Sequence, residues 1–205
     1  MCSQNKTIDF YNSHAAELFQ QYQSTSFQKV HKHWASFLHD LSGKRALDIG
    51  AGSGRDASAL AELGFKVCAV EPAIELSQLS KNSNTNEINW IIDSLPMLSQ
   101  LPDEKYDVIL VSAVWMHLTE KEQRLSLHRI NSLINTNGIV VITIRIGCFS
   151  DERTSENVDV SSTIKEAANL GLICRLDRID EDKLNRSDLN WQTIVFSKKE
   201  LPNES

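Results

Sequence analysis

The chain has 205 residues, 41% hydrophobic and 23% charged, which suits one soluble domain with a full core and excludes low-complexity or fibrous classes. A net charge of −6 gives no electrostatic footprint for duplex nucleic acid, so nucleic-acid partners are not expected. No run reaches membrane-spanning length and Met1–Thr7 lacks an apolar signal core, so the expected compartment is the cytoplasm, with no membrane partner.

In chain order, Ile8–Gln23 and Ser26–Leu41 have apolar residues at helical spacing, with Val30, Trp34, Phe37 and Leu38 forming a stripe. Trp34 and Phe37 are expected to pack on the sheet. Ala46–Ile49 reads as a buried strand holding one carboxylate, Asp48. It ends in Gly50-x-Gly52-x-Gly54, and helical patterning follows over Arg55–Leu63, stopped by Gly64. Glycines there permit positive φ and close approach of a ligand to the main chain. Lys66–Val70 is a continuous apolar run, as in a parallel strand covered on both faces. Glu71-Pro72 ends it, and that acid stands about 20 residues past the turn, where an acid binds ribose hydroxyls in Rossmann-type folds.

A helix over Ile74–Leu79 and a strand over Ile88–Ile92 come next, then Asp93-Ser94-Leu95-Pro96. A strand over Tyr106–Val111 runs into Ser112-Ala113-Val-Trp-Met-His-Leu118. Thr119-x-x-Glu122 has the pattern of a capping box for a helix over about 120–134. A turn at Asn135–Gly138 leads to a strand over Ile139–Ile146, and Ser150–Val160 is a polar loop. A helix over 162–170, with Thr163 and Glu166 as its capping box, precedes strands at Leu172–Ile179 and Trp191–Ser197. The polar stretch Asp180–Asn190 joins them.

The four cysteines, Cys2, Cys68, Cys148 and Cys174, form no C-x-x-C pair, so no metal or redox framework is indicated. Cys68 is read as core, Cys174 as part of a strand, and Cys148 as structural or pocket-lining.

The dinucleotide fingerprint G-x-G-x-x-G would place its third glycine at position 55, which is Arg55. The spacing here is G-x-G-x-G, with an acid two residues ahead. With Ala69-Val-Glu-Pro72 and Ser112–Leu118, it resembles motif I and the following strand ends of class I S-adenosylmethionine (SAM)-dependent methyltransferases. Within that group it looks like small bacterial-type members with a Gly-Arg-Asp turn. Tyr106-Asp107 resembles the family's "FD-hydrophobic" strand. Asn135–Gly138 resembles its "L-L-x-P-G-G" turn with the proline and first glycine replaced.

The resemblance covers roughly residues 8–199. It implies a Rossmann-like α/β fold, a seven-stranded mostly parallel sheet with an antiparallel last strand and helices on both faces. It further implies residues 1–42 as a helical lid and 43–205 as a SAM-binding domain, in one domain overall. The implied cofactor-binding residues are Asp48, Gly50, Ala51 and Gly52 at the turn, Glu71 and Pro72 for ribose, Asp93, Ser94 and Leu95 for adenine, and Ser112 with Ala113. A structural Asx turn is the competing reading of Asp93.

Transfer of an activated methyl needs alignment more than a protein nucleophile. A protonated acceptor also gains from a general base. His117, just after the fourth strand, has the right ordinary pKa; a structural His is the alternative. Tyr11, Arg145 and Arg153 are candidate substrate-binding residues, the two arginines suggesting a small anionic acceptor. No metal site is expected. The expected function is methyl transfer from SAM to a small molecule. Protein or RNA acceptors, a non-catalytic SAM-binding subunit and a nicotinamide-dependent oxidoreductase are the alternatives.

Overall fold

A computed structural model of the chain describes residues 3–41, 44–84, 87–147, 149, 151–182 and 189–198. Its centre is a seven-stranded sheet. In chain order the strands are β1 (Arg45–Ile49), β2 (Lys66–Val70), β3 (Ile88–Ile91), β4 (Tyr106–Ser112), β5 (Ile134–Ile146), β6 (Leu172–Glu181) and β7 (Asn190–Lys198). Their spatial order is β3-β2-β1-β4-β5-β7-β6. The first five pair in parallel, while β7 lies antiparallel between β5 and β6. Strand order reverses between β1 and β4, and ligands of open α/β sheets bind in the crevice outside the carboxyl ends at such a point.

Successive strand residues point to opposite faces, which divides the core in two. Leu47, Ile49, Ile109, Val111 and Ile142 share one face with Leu127 and Ile130 of α6 (Glu120–Leu133). Ala46, Val108, Leu110 and Val141 share the other with Trp34 and with Leu60 of α4 (Arg55–Glu62). Trp115, in a short 3₁₀ turn over Trp115–His117, is fully buried in the first cluster. Trp34 is buried and Phe37 partly buried in the second, as expected. Cys68 is core and Cys174 lies in β6; Cys2 and Cys148 fall outside the described residues.

The N-terminal segment departs from the expected helix pair. Ile8–Gln23 is divided between α1 (Ser3–Ser13) and α2 (Ala15–Gln23) at His14, whose backbone leaves helical geometry (φ −112°, ψ 19°). The His14 ring stacks on Phe10 and its Nδ1 donates to the Phe10 carbonyl. The bend lets Ile8, Tyr11, Ala15 and Phe19 all pack with Ala73 and Leu76 at the start of α5 (Ile74–Ser83), which runs past the expected Leu79. Ser26–Leu41 is not one helix. The Ser26 side chain caps α3 (Phe27–His31), which is followed by a 3₁₀ turn over Ala35–Asp40. Where the helix breaks, His31 turns inward to the buried Asp56 carboxylate and Trp34 turns inward to His31.

The capping box Thr119/Glu122 of α6 is present with both reciprocal bonds. The second expected box is not. Helix α7 (Val160–Asn169) starts earlier, with Asp159 accepting from the Ser162 N–H, and Thr163 sits inside it, its hydroxyl donating back to the Asp159 carbonyl. Asn137 occupies the left-handed position (φ 63°) expected of the 135–138 turn, although Ile134 already pairs with Tyr106 and the ladder shifts register there. Of the Asp180–Asn190 connection, residues 183–188 lie outside the described residues.

Candidate functional site

The glycine turn crosses the carboxyl end of β1. Gly50, Gly52 and Gly54 all have positive φ, at 71°, 55° and 73°. The N–H groups of Gly50 and Ala51 both donate to the Val70 carbonyl, at 2.8 and 3.0 Å, tying the turn to β2. A Cβ at Gly50 would lie 2.3 Å from Val114 Cγ2, and one at Gly52 would meet the Tyr22 ring at 3.6 Å. Main chain is thus packed on one side by the β4 end and roofed on the other by α2.

Glu71 is buried at the end of β2. Its Oε2 accepts from the Gly52 N–H at 2.9 Å and its Oε1 from the Ala73 N–H at 2.8 Å. Burial raises its pKa to about 7, against the pull of these two amides. Pro72 lines the same cavity. Asp93 accepts from the Ser94 N–H at 2.7 Å and the Gln100 N–H at 2.6 Å, so it pins the segment at Gln100 back to the end of β3. It also lines the cavity with Ser94 and Leu95. Ser112 and Ala113 line it from β4. Ala113 has φ 59°, and its N–H donates to both the carbonyl and the hydroxyl of Thr143, at 3.1 and 3.0 Å.

Asp48 is placed differently from the other expected cofactor contacts. It lies beneath the turn and is not among the cavity-lining residues. Its Oδ2 has no hydrogen-bond partner. Burial, then the charges of Asp56 and Glu71, push its pKa well above the usual carboxylate range, although Arg55 pulls the other way.

Behind the turn is a polar network that sequence patterning did not reveal. The Trp34 indole N–H donates to His31 Nδ1 at 2.9 Å, so His31 carries its proton on Nε2 and donates it to Asp56 Oδ2, also at 2.9 Å. Arg55 donates to both oxygens of Asp56, at 2.7 and 2.9 Å, and reaches the Tyr22 carbonyl. Burial pushes the Asp56 pKa up, but His31 and Arg55 outweigh it and hold the carboxyl well below its usual range. The only sequence hint was a Gly-Arg-Asp run at a helix start. Its partners, 25 residues upstream, lay on what read as a plain apolar stripe.

Beyond β4, α1, Phe149 and the 151–156 loop meet over His117. The Thr154 carbonyl can only accept, so His117 Nδ1–H donates to it, at 2.6 Å. Nε2 then carries the lone pair, and the Tyr11 hydroxyl stands 3.3 Å from it. Burial, Arg153 and Arg145 lower the His117 pKa, while the Thr154 carbonyl raises it; the net direction is downward. The imidazole stacks on Phe149 with centroids 5.2 Å apart. Burial raises the Tyr11 pKa against the pull of Arg153. The guanidinium carbons of Arg145 and Arg153 lie 4.0 and 4.2 Å from the Phe149 ring centroid. Arg145 donates to the Gly147 carbonyl, and Arg153 holds both oxygens of Asp151, at 2.9 and 2.6 Å. Tyr11, His117, Arg145 and Arg153 therefore line the same cavity as the glycine turn. Tyr22, Thr143 and Phe149 also line it, and Thr154 stands behind His117; their partners Gly52, Ala113 and His117 lie roughly 30 or more positions away, so nothing local marks them.

Residues 13–169 match the family described as methyltransferase domain. The chain belongs to that family. The methyltransferase domain also matches, at 25% identity over 143 residues, uncharacterized methyltransferases of Bacillus thuringiensis and Bacillus anthracis, covering 68% of this chain. The match spans 66% of the length of those relatives, slightly under two thirds. Among solved structures it is similar to magnesium protoporphyrin IX methyltransferase from Synechocystis with SAM bound, with a TM-score of 0.74 and 15% identity over 97% of this chain and 98% of that one. It is also similar to Burkholderia thailandensis 1,6-didemethyltoxoflavin-N1-methyltransferase with S-adenosylhomocysteine, at 0.71 and 16%, over 96% and 88%. The seven-stranded methyltransferase fold expected from motif I is the fold found.

Proposed function

We propose that the chain is a SAM-dependent methyltransferase of a small-molecule, anionic acceptor. The observation that carries this is convergence. The glycine turn, the strand-end acids Glu71 and Asp93, and the His117–Tyr11 pair share one cavity beneath the N-terminal helices. In this reading residues 1–42 are the lid and 43–205 the donor-binding domain.

The residues fit SAM. Each Glu71 oxygen takes one backbone N–H and keeps a second acceptor position for a ribose hydroxyl. The Asp93 carboxylate has the same capacity for an adenine amino group, with Ser94 and Leu95 beside it. Gly50, Ala51 and Gly52 leave main chain open to the amino-acid end, and Ser112 and Ala113 complete the wall. Asp48 supports the turn from below. SAM, when bound, supplies an activated sulfonium methyl, for which alignment can contribute up to ~7–11 kcal/mol.

The chain's own part is to hold the acceptor and take its proton. His117 keeps Nδ1–H on the Thr154 carbonyl, so Nε2 accepts the proton released by an acceptor hydroxyl or amine. The lowered pKa keeps that nitrogen unprotonated at neutral pH. Arg145 binds an acidic group of the acceptor, and Arg153 joins it by exchanging Asp151 for that group. Two structural neighbours are named for small-molecule acceptors, a magnesium protoporphyrin and a didemethyltoxoflavin, in keeping with the reading.

Incubation with methyl-labelled SAM and a fractionated metabolite pool tests it. Label is expected in a small acidic product. Label found only in protein or RNA fractions contradicts the acceptor class.

A further inference from the structure

The hydrogen bonds around Thr154 connect the lid to the proton-accepting nitrogen. Thr7, on α1, is almost fully buried although it is polar. Its hydroxyl accepts from the Thr154 N–H at 3.2 Å and lies 2.8 Å from the Thr154 hydroxyl. One residue thus receives two contacts from α1, and its carbonyl is the group that fixes His117 Nδ1–H. The loop is also tied further along, where the Glu156 N–H donates to the Met116 carbonyl at 2.8 Å. That bond holds the loop near the 3₁₀ turn and Arg153 rests on the Phe10 and Tyr11 rings of α1, while Thr7 supplies the two contacts made to Thr154 itself.

We propose that Thr7 is a positioning residue which, when the lid helix is docked, orients the Thr154 carbonyl and so selects the His117 tautomer with its lone pair on Nε2, facing the Tyr11 hydroxyl. A general base that exists only under a closed lid cannot pull protons while the site is open. The inference rests on the reading of His117 as the base, but its first readout does not. An imidazole whose Nδ1–H loses its carbonyl partner is free to move the proton to Nε2, where it can no longer accept one. The charged and titratable groups facing His117 are Tyr11 from α1, Arg145 from β5, and Asp151 with Arg153 from the loop. None of them accepts from Nδ1, so none substitutes for the carbonyl.

The test compares wild type, Thr7→Val and Thr7→Ser. Valine keeps the shape and removes the hydroxyl; serine keeps the hydroxyl. Nitrogen NMR of the His117 ring in SAM-free protein reports the tautomer directly. Wild type and Thr7→Ser are expected to show a protonated Nδ1, and Thr7→Val a mixture with substantial Nε2–H. In turnover, Thr7→Val is expected to lower kcat about 10-fold with the KM for SAM unchanged, part of the ~10²–10⁴-fold worth of a general base. Thr7→Ser restores it. A folded Thr7→Val protein with the wild-type tautomer overturns the proposal. A changed tautomer in protein whose wild type transfers no methyl leaves the coupling intact and removes only the enzymatic reading. A changed tautomer with unchanged kcat shows that Thr7 does not act through a base, which also overturns the proposal.

Discussion

Replacing Glu71 with glutamine isolates a titration that the fold has moved into the neutral range. Burial carries the Glu71 pKa from the ordinary 4.5 up to about 7, with the Ala73 and Gly52 N–H groups opposing. In that interval the folded protein retains a proton that the unfolded chain has already released. Stability from this group is therefore fully present below the unfolded value and is lost as pH rises through about 7. At about 1.36 kcal/mol per pH unit, the difference between 4.5 and about 7 amounts to about 3 kcal/mol. Every other titrating group is common to both proteins, so the quantity to follow is the difference between wild type and Glu71→Gln. Urea unfolding from about pH 5 to about pH 8 measures it, with m-values checked for constancy. Wild type should lose stability relative to the variant along the series. With Glu71 as the proposed ribose acceptor, SAM is expected to reverse the trend, since ribose hydroxyls donate to an ionised carboxylate, and wild-type affinity should rise with pH. A stability difference constant to within about 0.5 kcal/mol across the range refutes the assignment of this carboxyl.

Four further substitutions probe separate parts of the molecule. Gly50→Ala places a Cβ 2.3 Å from Val114 at φ 71°, and should cost roughly 2–4 kcal/mol from overpacking and left-handed strain together. Gly64→Ala at φ 88° meets nothing within 4 Å and should cost about 1–2 kcal/mol; equal losses in thermal unfolding contradict the packing argument. Asp56→Asn weakens the contacts to His31 and Arg55, with a loss of roughly 3–5 kcal/mol near neutral pH. Because the Asp56 pKa is depressed, wild type loses that advantage as pH falls below the usual carboxylate range, so the two proteins should converge in acid; a constant gap contradicts this. His117→Ala should reduce turnover by ~10²–10⁴-fold and leave SAM affinity unaltered, and an unchanged rate removes His117 as the base.

What could be read from the chain follows the range of the forces involved. The β2 strand was legible because a parallel strand covered on both faces is a continuous apolar run, here Val67–Val70 after the exposed Lys66. The Thr119/Glu122 box was legible because its partners are three residues apart. The Thr163/Glu166 pattern was equally local and yet wrong, since Asp159 competes for the same helix start and is the better placed cap. The glycine turn and the acid after β2 were recognisable by spacing. That the acid would hold Gly52 and Ala73 was not, nor that Asp48 would face away from the cavity. His31, at the break of the second N-terminal helix, meets Asp56 25 residues on, and the setting of His117 depends on Thr154 and Tyr11. Such contacts are made by tertiary packing and leave no period in the sequence.

Titration calorimetry with SAM, S-adenosylhomocysteine and NAD, on wild type beside Glu71→Gln, tests the proposed SAM site at the turn, Glu71 and Asp93. Both adenosyl ligands are expected to bind, roughly 10–100-fold more weakly to the variant from the loss of charge-assisted hydrogen bonds, with no heat from NAD. Binding of NAD without SAM would contradict it.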